Sequence, residues 1–350
     1  MNRSPANCLV SVIVLNYNGA RWLERCLSSL RAQTIFDQIE VILADNRSSD
    51  GSDLLGKRLV EALPGGVFLQ HGQNLGYCEG NNRAALSAHG QYLLFLNNDT
   101  WLEPRCLELF LAEVKRTGTG AASPLVLNYD DDSFQSMGAF GFDLFGLSST
   151  RLPATKTREV LMPEGCAYLI ESKLFAELGG FDPEFFMFAD ELDLSWRVWI
   201  SGRRAMAIPS ARLHHRRAAQ VNPAGGGAAV EFRTSDTTRF YANRNSLLVL
   251  LKNARHLLLL LVPLQILMLL AEGIVSLALV RRWGYVKRAY WDAVTGCWRL
   301  RKHVLAERRR IRQFRRHGDF WMLRFLRWRL NRWYELQRLC QFGLPKITPR

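Results

Sequence analysis

The sequence predicts an α/β protein in which a mostly parallel sheet is flanked by helices and followed by a hydrophobic helical block and a basic helical tail. Short apolar, β-branched runs alternate with amphipathic windows from about residue 9 to residue 128. Alternation of this kind is typical of parallel sheets covered by helices. With 48% hydrophobic residues in 350, the chain can form a packed core, and wholesale disorder is excluded.

Four strands are predicted first, and each is followed by a helix. Their residues are apolar nearly throughout, as expected when helices cover both faces. The first run ends in asparagines and has no small-residue cleavage site, so we interpret the N-terminus as a strand and not as a signal peptide. The predicted pairs are VSVIVLNY with a helix over 20–33, EVILADN with 51–63, GVFLQHG with 78–89 and YLLFLNND with 103–117.

The rest of the chain shows less regular patterns. Residues 129–163 have no clear period and predict loops and short strands. A strand in GCAYLIES, a helix in ADELDLSWRVWISG, a strand in RRAMAIPSARLHH and a polar helix around 231–245 follow. These changes divide the chain into four predicted segments, which are 1–128, 129–245, 246–280 and 281–350.

Basic residues are concentrated in the last segment. The formal net charge is +14, and residues 281–350 hold 20 Lys or Arg against 4 Asp or Glu, so the first 280 residues are close to neutral. The seven cysteines show neither a CxxC pair nor the histidine spacing of a zinc site. This favours a reduced compartment.

Polar residues follow each of the four predicted strands, where ligands of such sheets bind. They include Asn16 and Tyr17 after the first strand, Asp45 after the second, Asn74 after the third and Asp99 after the fourth. Each also has an ordinary structural explanation, because Asp and Asn are common in turns and at helix N-caps. Taken alone, Asp99 is better explained as a cap or a strand-end turn.

In their order along the chain, these segments resemble the motifs of family 2 glycosyltransferases with a GT-A fold, over roughly the first 245 residues. VSVIVLNYNG is similar to the opening strand, whose tyrosine, here Tyr17, lies against the nucleotide base. ADNRSSDGS supplies the acidic residue that recognises the base, here Asp45. The segment 74–82 is similar to the glycine-rich loop of the nucleotide pocket, where a helix start is expected to offer N–H groups to phosphate. The resemblance implies a donor site with Asn16, Tyr17, Asp45, Asn74, Gly76, Asn81, Asn98 and Arg244.

LNNDT is similar to the family's metal motif, which usually has two acidic residues around a variable one. Asn97 replaces the first, so the resemblance leaves Asp99 as the principal metal ligand and Asn98 as the ribose contact. This departure is frequent in the branch that resembles bacterial rhamnosyltransferases and O-antigen transferases. By position His215 completes the metal site, although a surface strand end also explains it. Oxygen and imidazole ligands suit Mg²⁺ or Mn²⁺.

GCAYLIES, GGFDPEFF and ADELDLSWRVWISG resemble the family's acceptor-side motifs, which end in an acidic pair. The usual order is Glu-Asp, whereas this chain has Asp190-Glu191. By position Glu191 is the expected catalytic base, and Asp190 stays an alternative; a solvated helix start is the ordinary explanation. RFYANRN resembles a further motif that lines the cleft, or else contributes core aromatic residues. The acceptor-side residues implied are Gly180, Phe181, Asp182, Asp193 and Arg197, of which Asp193 and Arg197 suit a supporting ion pair.

The segment 257–280 is long enough to cross a bilayer, with Glu272 as its single charge. One crossing would separate the basic tail from the nucleotide-sugar domain, which the positive-inside rule opposes. We therefore expect a re-entrant or in-plane segment with bends at Pro263 and Gly273. The tail repeats Arg and Trp at near-helical spacing, as interfacial helices on anionic lipid do. A single span, a buried hairpin and a nucleic-acid-binding tail are the alternatives, and we expect no nucleic-acid partner.

Together these patterns and the resemblance imply an inverting, metal-dependent glycosyltransferase. Its expected donor is a dTDP-, UDP- or GDP-linked sugar, and its expected acceptor is a hydroxyl of a lipid-linked or cell-surface glycan. Its expected location is the cytoplasmic face of the cell membrane, as a monotopic or peripheral protein on anionic lipid. A polyprenyl-phosphate glycosyltransferase and a catalytically degenerate membrane scaffold with a GT-A domain are the alternatives.

Overall fold

The computed structural model describes residues 8–149, 153–216 and 233–347. The strands are β1 Val10–Asn16, β2 Ile39–Asp45, β3 Gly66–Gln70, β4 Tyr92–Asn97, β5 Thr100–Leu102, β6 Ala121–Asn128, β7 Phe134–Ser136, β8 Gly141–Phe142, β9 Ser148–Ser149, β10 Arg158–Glu159, β11 Ala167–Glu171, β12 Ala205–His215, β13 Arg233–Thr234 and β14 Lys346–Ile347. The α-helices are α1 Ala20–Arg31, α2 Ser52–Glu61, α3 Gly76–Ala85, α4 Cys106–Thr117, α5 Ser172–Leu178, α6 Asp190–Ile200, α7 Asp236–Asn253, α8 Leu261–Val280, α9 Trp283–Val286, α10 Asp292–Arg299, α11 Arg301–Phe314, α12 Asp319–Met322 and α13 Arg332–Phe342.

A ten-stranded sheet forms the centre of the protein, in the order β10-β12-β6-β11-β4-β1-β2-β3, with β5 paired to β12 and β7 to β6. Strands β3, β2, β1 and β4 are parallel, and β11 is antiparallel to β4 and β6. The α/β prediction is confirmed, and the sheet is mixed. Because β11 and β12 lie in this sheet, the predicted segments 1–128 and 129–245 share one structural framework.

Helices cover both faces of the sheet. Val12 packs on the side of Leu23 and Phe110, from α1 and α4. The next residue, Ile13, belongs to the cluster on the other side, with Trp196 of α6. Successive residues of a strand point to opposite faces, so both faces of β1 are buried. This leaves the carboxyl ends of β1, β2 and β4 as an edge for polar side chains.

The polar helix predicted around 231–245 continues as α7 to Asn253; residues 231 and 232 lie outside the described residues. Ser235 caps α7, because its hydroxyl accepts from the Thr238 N–H at 3.0 Å. Leu247 and Leu250 are buried in the core. The predicted boundary between residues 245 and 246 therefore falls inside a continuous helix.

Helix α8 is continuous from Leu261 to Val280, so neither Pro263 nor Gly273 interrupts it. Pro263 lies in the first turn, where its missing N–H has no helical partner to lose, and Gly273 packs against the Tyr290 side chain. In the described part of the chain, Leu257–Val280 could cross a membrane on length and composition alone, and 28% of its most apolar window is buried. Leu260, Leu267 and Ile274 are among its exposed side chains.

The basic tail is not one amphipathic helix. Over the described residues 281–347 it divides into five α-helices, α9 to α13. Part of it packs onto the core, because the rings of Trp321 and Phe325 lie 5.5 and 4.8 Å from that of Trp199 in α6. Other tail tryptophans, such as Trp298 and Trp328, are exposed. The helical spacing of the tail therefore reflects both packing and surface exposure.

Candidate active site

The carboxyl ends of β1 and β2 bring Asn16 and Asp45 together. The strand register places them opposite each other, and Asn16 Nδ2 donates to Asp45 Oδ1 at 2.8 Å. Asn98, at the end of β4, donates from Nδ2 to Asn16 Oδ1 at 2.7 Å. Three residues predicted for the donor site are thus joined in one hydrogen-bonded row along the sheet edge.

The Asp45 carboxylate is fixed in its ionised form. It accepts from the Ser48 N–H at 2.8 Å, the Ser48 hydroxyl at 2.6 Å and Gln70 Nε2 at 2.9 Å. Burial raises the pKa of Asp45, but the hydrogen bonds from Ser48, Gln70 and Asn16 outweigh burial, and the pKa lies below its ordinary value. Tyr17 follows β1 and is 52% exposed. Asp45 itself is 0% exposed, and Asn16, Ser48 and Gln70 together donate two hydrogen bonds to each of its oxygens. The open group at this edge is the Tyr17 ring, which suits the flat face of a nucleotide base.

The start of α3 does not offer its first N–H groups to phosphate, and that expectation is wrong. The Gly76 N–H donates to Asn74 Oδ1 at 2.9 Å. The N–H groups of Tyr77 and Cys78 donate to the Phe186 carbonyl, at 2.6 and 3.3 Å. A Cβ on Gly76 would lie 2.4 Å from the Phe186 ring. The helix start is therefore covered by the loop that precedes α6.

Asp99 and His215 face each other at the ends of β4 and β12, with 3.3 Å between Asp99 Oδ1 and His215 Nε2. The antiparallel β5–β12 ladder sets this position by pairing His215 with Thr100. Gln135 Oε1 lies 2.8 Å from His215 Nδ1, and Gln135 Nε2 donates to the His215 carbonyl at 2.9 Å. The Nδ1–H of His215 donates to Gln135 Oε1. Burial lowers the pKa of His215, but Cys166 and Asp99 raise it well above its ordinary value, so Nε2–H faces Asp99 here, and a bound metal would replace that proton.

One carboxylate and one imidazole fit two ligand positions of Mg²⁺ or Mn²⁺, for which a diphosphate and water can supply the remaining oxygen ligands. The described residues contain no group of three or more His, Cys, Asp or Glu side chains that could hold a metal ion by itself. Asp99 and His215 are consistent with a metal bound jointly by protein and donor.

Residues 165 and 166 connect Asp99 and His215 to the acidic pair of α6. Cys166 lies beside the His215 ring, and its carbonyl accepts from the Asn97 N–H at 2.9 Å. A Cβ on Gly165 would come within 3.2 Å of Glu191 Oε1. The candidate metal site therefore lies beside Cys166, and Glu191 lies beside the preceding residue, Gly165.

Asp190 and Glu191 begin α6 and differ in environment. Asp190 is 5% exposed. Burial, followed by the charge of Glu191, raises the pKa of Asp190 well above its ordinary value. Of the two carboxyl groups, Asp190 is therefore the one whose protonated form is favoured by its surroundings. Glu191 also lines a pocket of about 180 Å³, together with Phe188 and Arg332.

The loop before this pair has an unusual backbone and is anchored by Asn245. Asn245 is fully buried in α7, and its Nδ2 lies 2.8, 2.8 and 2.9 Å from the carbonyl oxygens of Phe185, Met187 and Phe188. Side chains other than glycine are disfavoured at positive φ. The φ values are 61° for Phe186, 69° for Phe188 and 58° for Ala189.

Arg244 lies beside Asn245, against the same turn. Its Nε donates to Asn245 Oδ1 at 3.0 Å, and its Nη2 donates to the Glu184 carbonyl. Burial lowers the pKa of Arg244, and the guanidinium carbon lies 5.0 Å from the Tyr241 ring centre. The structure places Arg244, predicted for the donor site, where it supports the loop of the acidic pair.

The residues predicted on the acceptor side lie behind the cleft. The expected ion pair is present: Arg197 Nη2 is 2.6 Å from Asp193 Oδ2, and both side chains are buried. Lys252 Nζ lies 3.1 Å from Asp193 and also bonds Asp182, which is 2.9 Å from His303 Nε2. Burial raises the pKa values of Asp182 and Asp193, but the neighbouring cations outweigh it and lower both. This network joins α6, α7 and α11.

Gly180 and Phe181 are also buried, and they connect this network to α3. The Gly180 carbonyl accepts from Arg197 Nη1 at 2.7 Å. Asn82 Oδ1 accepts from the Phe181 N–H at 2.9 Å, and Asn82 Nδ2 donates to the Phe181 carbonyl at 2.8 Å. Asn81, which the sequence singled out, instead bonds a carbonyl of its own helix.

Sequence reasoning missed Gln135, Asn82 and Lys252. Gln135 lies in the aperiodic segment 129–163, so no pattern marked it. Lys252 carried a usable signal, because a lone lysine inside an apolar run is rarely buried without a paired carboxylate. Asn82 directly follows Asn81, which was predicted for the donor site, and no sequence pattern distinguished the two asparagines.

An apolar groove of about 610 Å³ lies between α8 and α13. Leu264 and Leu267 contribute to its apolar wall, and Arg239 and Glu335 to its polar part. Arg332 lines both this groove and the Glu191 pocket. The groove and the Glu191 pocket are therefore adjacent, with Arg332 between them.

Comparison with known proteins gives a consistent result. Residues 11–179 match the model of glycosyl transferase family 2. A relative from Mycobacterium tuberculosis, N-acetylglucosaminyl-diphospho-decaprenol L-rhamnosyltransferase, is 27% identical over 270 residues, which is 68% of this chain and 85% of that protein. The predicted resemblance to family 2 and to bacterial rhamnosyltransferases is thereby confirmed.

Two solved structures share the fold. GalNAc-T7 with UDP, GalNAc and Mn²⁺ aligns with a TM-score of 0.55 and 18% identity, covering 69% of this chain and 47% of that one. S. aureus TarS 1–349 in complex with UDP aligns with a TM-score of 0.51 and 15% identity, covering 87% and 88%. Residues 11–179 therefore form a glycosyl transferase family 2 domain, and this chain is a glycosyltransferase with a GT-A fold.

Proposed function

We propose that this enzyme moves a sugar, with inversion, from a nucleotide-sugar donor to a hydroxyl of a lipid-linked or cell-surface glycan. The observation that carries the proposal is the position of Glu191, which lies next to Gly165 while Asp99 and His215 lie next to Cys166. A donor diphosphate at Asp99 and an acceptor hydroxyl at Glu191 would then be close enough to react.

Glu191 is the proposed base. As the acceptor oxygen attacks the anomeric carbon, Glu191 takes the hydroxyl proton, the bond from that carbon to the diphosphate breaks, and the nucleoside diphosphate leaves. Asp190 is the less suitable base, because burial and the charge of Glu191 raise its pKa and favour its protonated form. A base of this kind typically contributes 10² to 10⁴-fold to the rate.

Asp99 and His215 would hold Mg²⁺ or Mn²⁺, with Gln135 orienting the imidazole. A divalent ion at this position supplies positive charge for the departing diphosphate. Mn²⁺ together with UDP in the GalNAc-T7 structure supports this choice.

On the donor side, Tyr17 would lie against the base and Asn98 would contact the ribose. Asp45 would bind the base by exchanging one of its present hydrogen bonds, such as that from Gln70, for a base N–H. Tyr17 and Asn74 are exposed and thus open to a ligand. The M. tuberculosis relative, named as a rhamnosyltransferase, makes dTDP-rhamnose the first donor to test. UDP- and GDP-sugars are the next.

The acceptor is proposed to be linked to a polyprenyl diphosphate, as the name of the M. tuberculosis relative states for that protein. The apolar groove of α8 and α13 supports a lipid chain, because it meets the Glu191 pocket at Arg332. An enzyme with such an acceptor works at a membrane, and we place it at the cytoplasmic face, as a monotopic or peripheral protein.

The test is a transfer assay with the purified full chain in detergent and Mn²⁺. dTDP-rhamnose, UDP-sugars and GDP-sugars are each supplied with a short-chain N-acetylglucosaminyl diphosphoprenol, and in parallel with prenyl phosphate alone. The proposal expects product on the sugar-bearing acceptor, with an anomeric configuration opposite to that of the donor. Product on prenyl phosphate alone, or retained configuration, would contradict it.

A further inference from the structure

A cavity of about 580 Å³ lined by basic residues lies away from the acidic pair. It lies between the end of α7 and the second half of α11, and it includes Arg316, whose N–H donates to the carbonyl of Ile200 at 2.6 Å. Ile200 ends α6, whereas Glu191 lies in its first turn, and 11 helical residues span about 16 Å. The cavity is therefore separate from the proposed reaction site.

Two of its arginines are fixed by the protein backbone. Arg308 Nη1 donates to the carbonyls of Leu251 and Ala254 at 2.6 and 2.7 Å. Arg315 Nη2 donates to the Asn253 carbonyl at 2.5 Å. These carbonyls belong to the end of α7, where cations are favoured by the helix dipole. The guanidinium groups are thus preorganised and do not depend on a ligand for their position.

The cavity carries more positive charge than the protein neutralises. Arg255, Arg312 and Arg316 line it as well and have exposed side chains. Asp319 is the nearby carboxylate, and its oxygens accept from backbone N–H groups at residues 255, 256 and 258. Burial, opposed by Asp319 and reinforced by the surrounding arginines, lowers the pKa of Arg315. Lys252 also lines the cavity, but Asp182 and Asp193 neutralise it. Among the described residues, the five arginines thus have Asp319 as their carboxylate, and this excess of positive charge favours a bound anion with several oxygen atoms.

Apolar side chains flank the cavity. Arg255 precedes the turn 257–260 that leads into α8, and Leu260 at its end is 64% exposed. Phe320 follows Asp319 and is 81% exposed. The Asp319 carboxylate accepts hydrogen bonds from the backbone of residues 255–258, and this joins the segment that carries Phe320 to the turn that carries Leu260. A cationic cavity beside exposed apolar residues has the chemistry of a phospholipid, with a phosphate next to hydrocarbon.

We propose that this cavity binds the phosphate headgroup of an anionic phospholipid and thereby docks the start of α8 at the membrane surface. Leu260 and Phe320 enter the acyl region, and the arginines contact the headgroup. The site lies about one helix length from Glu191, so docking orients the enzyme without entering the reaction.

The test compares two double variants of the full chain that change the charge equally. Arg312→Glu with Arg316→Glu alters the cavity, and Arg299→Glu with Lys302→Glu alters exposed basic residues outside it. Binding is measured by flotation with phosphatidylcholine vesicles that contain or lack phosphatidylglycerol. We expect the cavity variant to bind phosphatidylglycerol vesicles about 30-fold more weakly, the effect of two lost arginine contacts, and the control about 3-fold or less. Arg312→Gln with Arg316→Gln gives the same comparison if charge reversal impairs folding.

Equal losses in the two double variants would overturn the proposal, because diffuse attraction by the tail would then explain binding. A soluble source of phosphate is tested with glycerol phosphate in a thermal-shift assay. If it stabilises the unmodified protein but not the cavity variant, while vesicle binding is the same for all proteins, the lipid assignment is overturned. Because these readouts need no sugar transfer, they are independent of the proposed reaction.

Discussion

Asn245 offers a sharp test of how the acidic pair is positioned. Three loop residues have positive φ, and each such residue costs on the order of 1–3 kcal/mol, so the loop holds at least about 3 kcal/mol of strain. The Asn245 amide has two hydrogens for three carbonyls. Losing them leaves two buried carbonyls unsatisfied at about 1–3 kcal/mol each, or roughly 2–6 kcal/mol in total.

Asn245→Ala should therefore free the loop to relax. The hydrogen-bond energy lost with Asn245 is comparable to the backbone strain of the loop, so the strained conformation should no longer be favoured. Glu191 should then lie in its reactive position far less often, and kcat should fall roughly 10²-fold. The affinity for the nucleotide, measured by calorimetry, should change little because Asp45 and Tyr17 are untouched. Hydrogen exchange at residues 186–190 should become faster.

Leu247→Ala is the matched control. Leu247 is 1% exposed and lies on the opposite face of α7, two positions from Asn245. Its truncation should lower the free energy of unfolding by about 2–5 kcal/mol while preserving kcat per folded molecule. If Asn245→Ala loses activity only in proportion to its folded fraction, as this control does, the anchoring role of Asn245 is refuted.

Four further predictions concern the metal site and the buried charges. Asp99→Ala should abolish Mn²⁺-dependent donor binding in calorimetry, and equal donor affinity with and without Mn²⁺ in the unmodified protein would contradict this. Gln135→Ala should weaken activation by Mn²⁺ about 10- to 100-fold, and an unchanged Mn²⁺ titration would show that Gln135 does not orient His215. Lys252→Met should lower the free energy of unfolding by about 3–5 kcal/mol in urea, whereas Lys287→Met, from a half-exposed pair, should cost about 1 kcal/mol or less. Because Asp182 and Asp193 have lowered pKa values in the folded state, their contribution to stability is present above the ordinary aspartate pKa of 3.8 and is lost as pH falls below it; a stability that stays constant on acidification would contradict this.

The sequence predicted the first four strand–helix pairs because their signals are local. Each apolar run ends where a polar residue begins, so Asn16, Asp45 and Asn97 mark the observed ends of β1, β2 and β4. The contacts that position the acidic pair were not predictable in this way. They join residues about 60 positions apart, such as Asn245 with Phe185, through backbone carbonyls that leave no trace in composition.

The same limit explains the boundary near residue 245. Composition changes there from polar to apolar, but α7 continues, and its later turns carry Lys252 into the network with Asp182 and Asp193. A chain ending near Asn245 would lose that cation, so it is expected to be unstable rather than a soluble catalytic unit. The polar to apolar change marks where α7 enters the core, and only the fold reveals this.

The most direct test of the central claim compares Glu191→Gln with Asp190→Asn in single-turnover transfer to a lipid-linked acceptor. Glu191→Gln should bind donor normally and react at least about 10²-fold more slowly, because it lacks the base. Asp190→Asn should retain much more activity, since burial and the charge of Glu191 raise the pKa of Asp190 and favour its uncharged form. A slow Asp190→Asn together with a fast Glu191→Gln would show that the base has been assigned to the wrong residue.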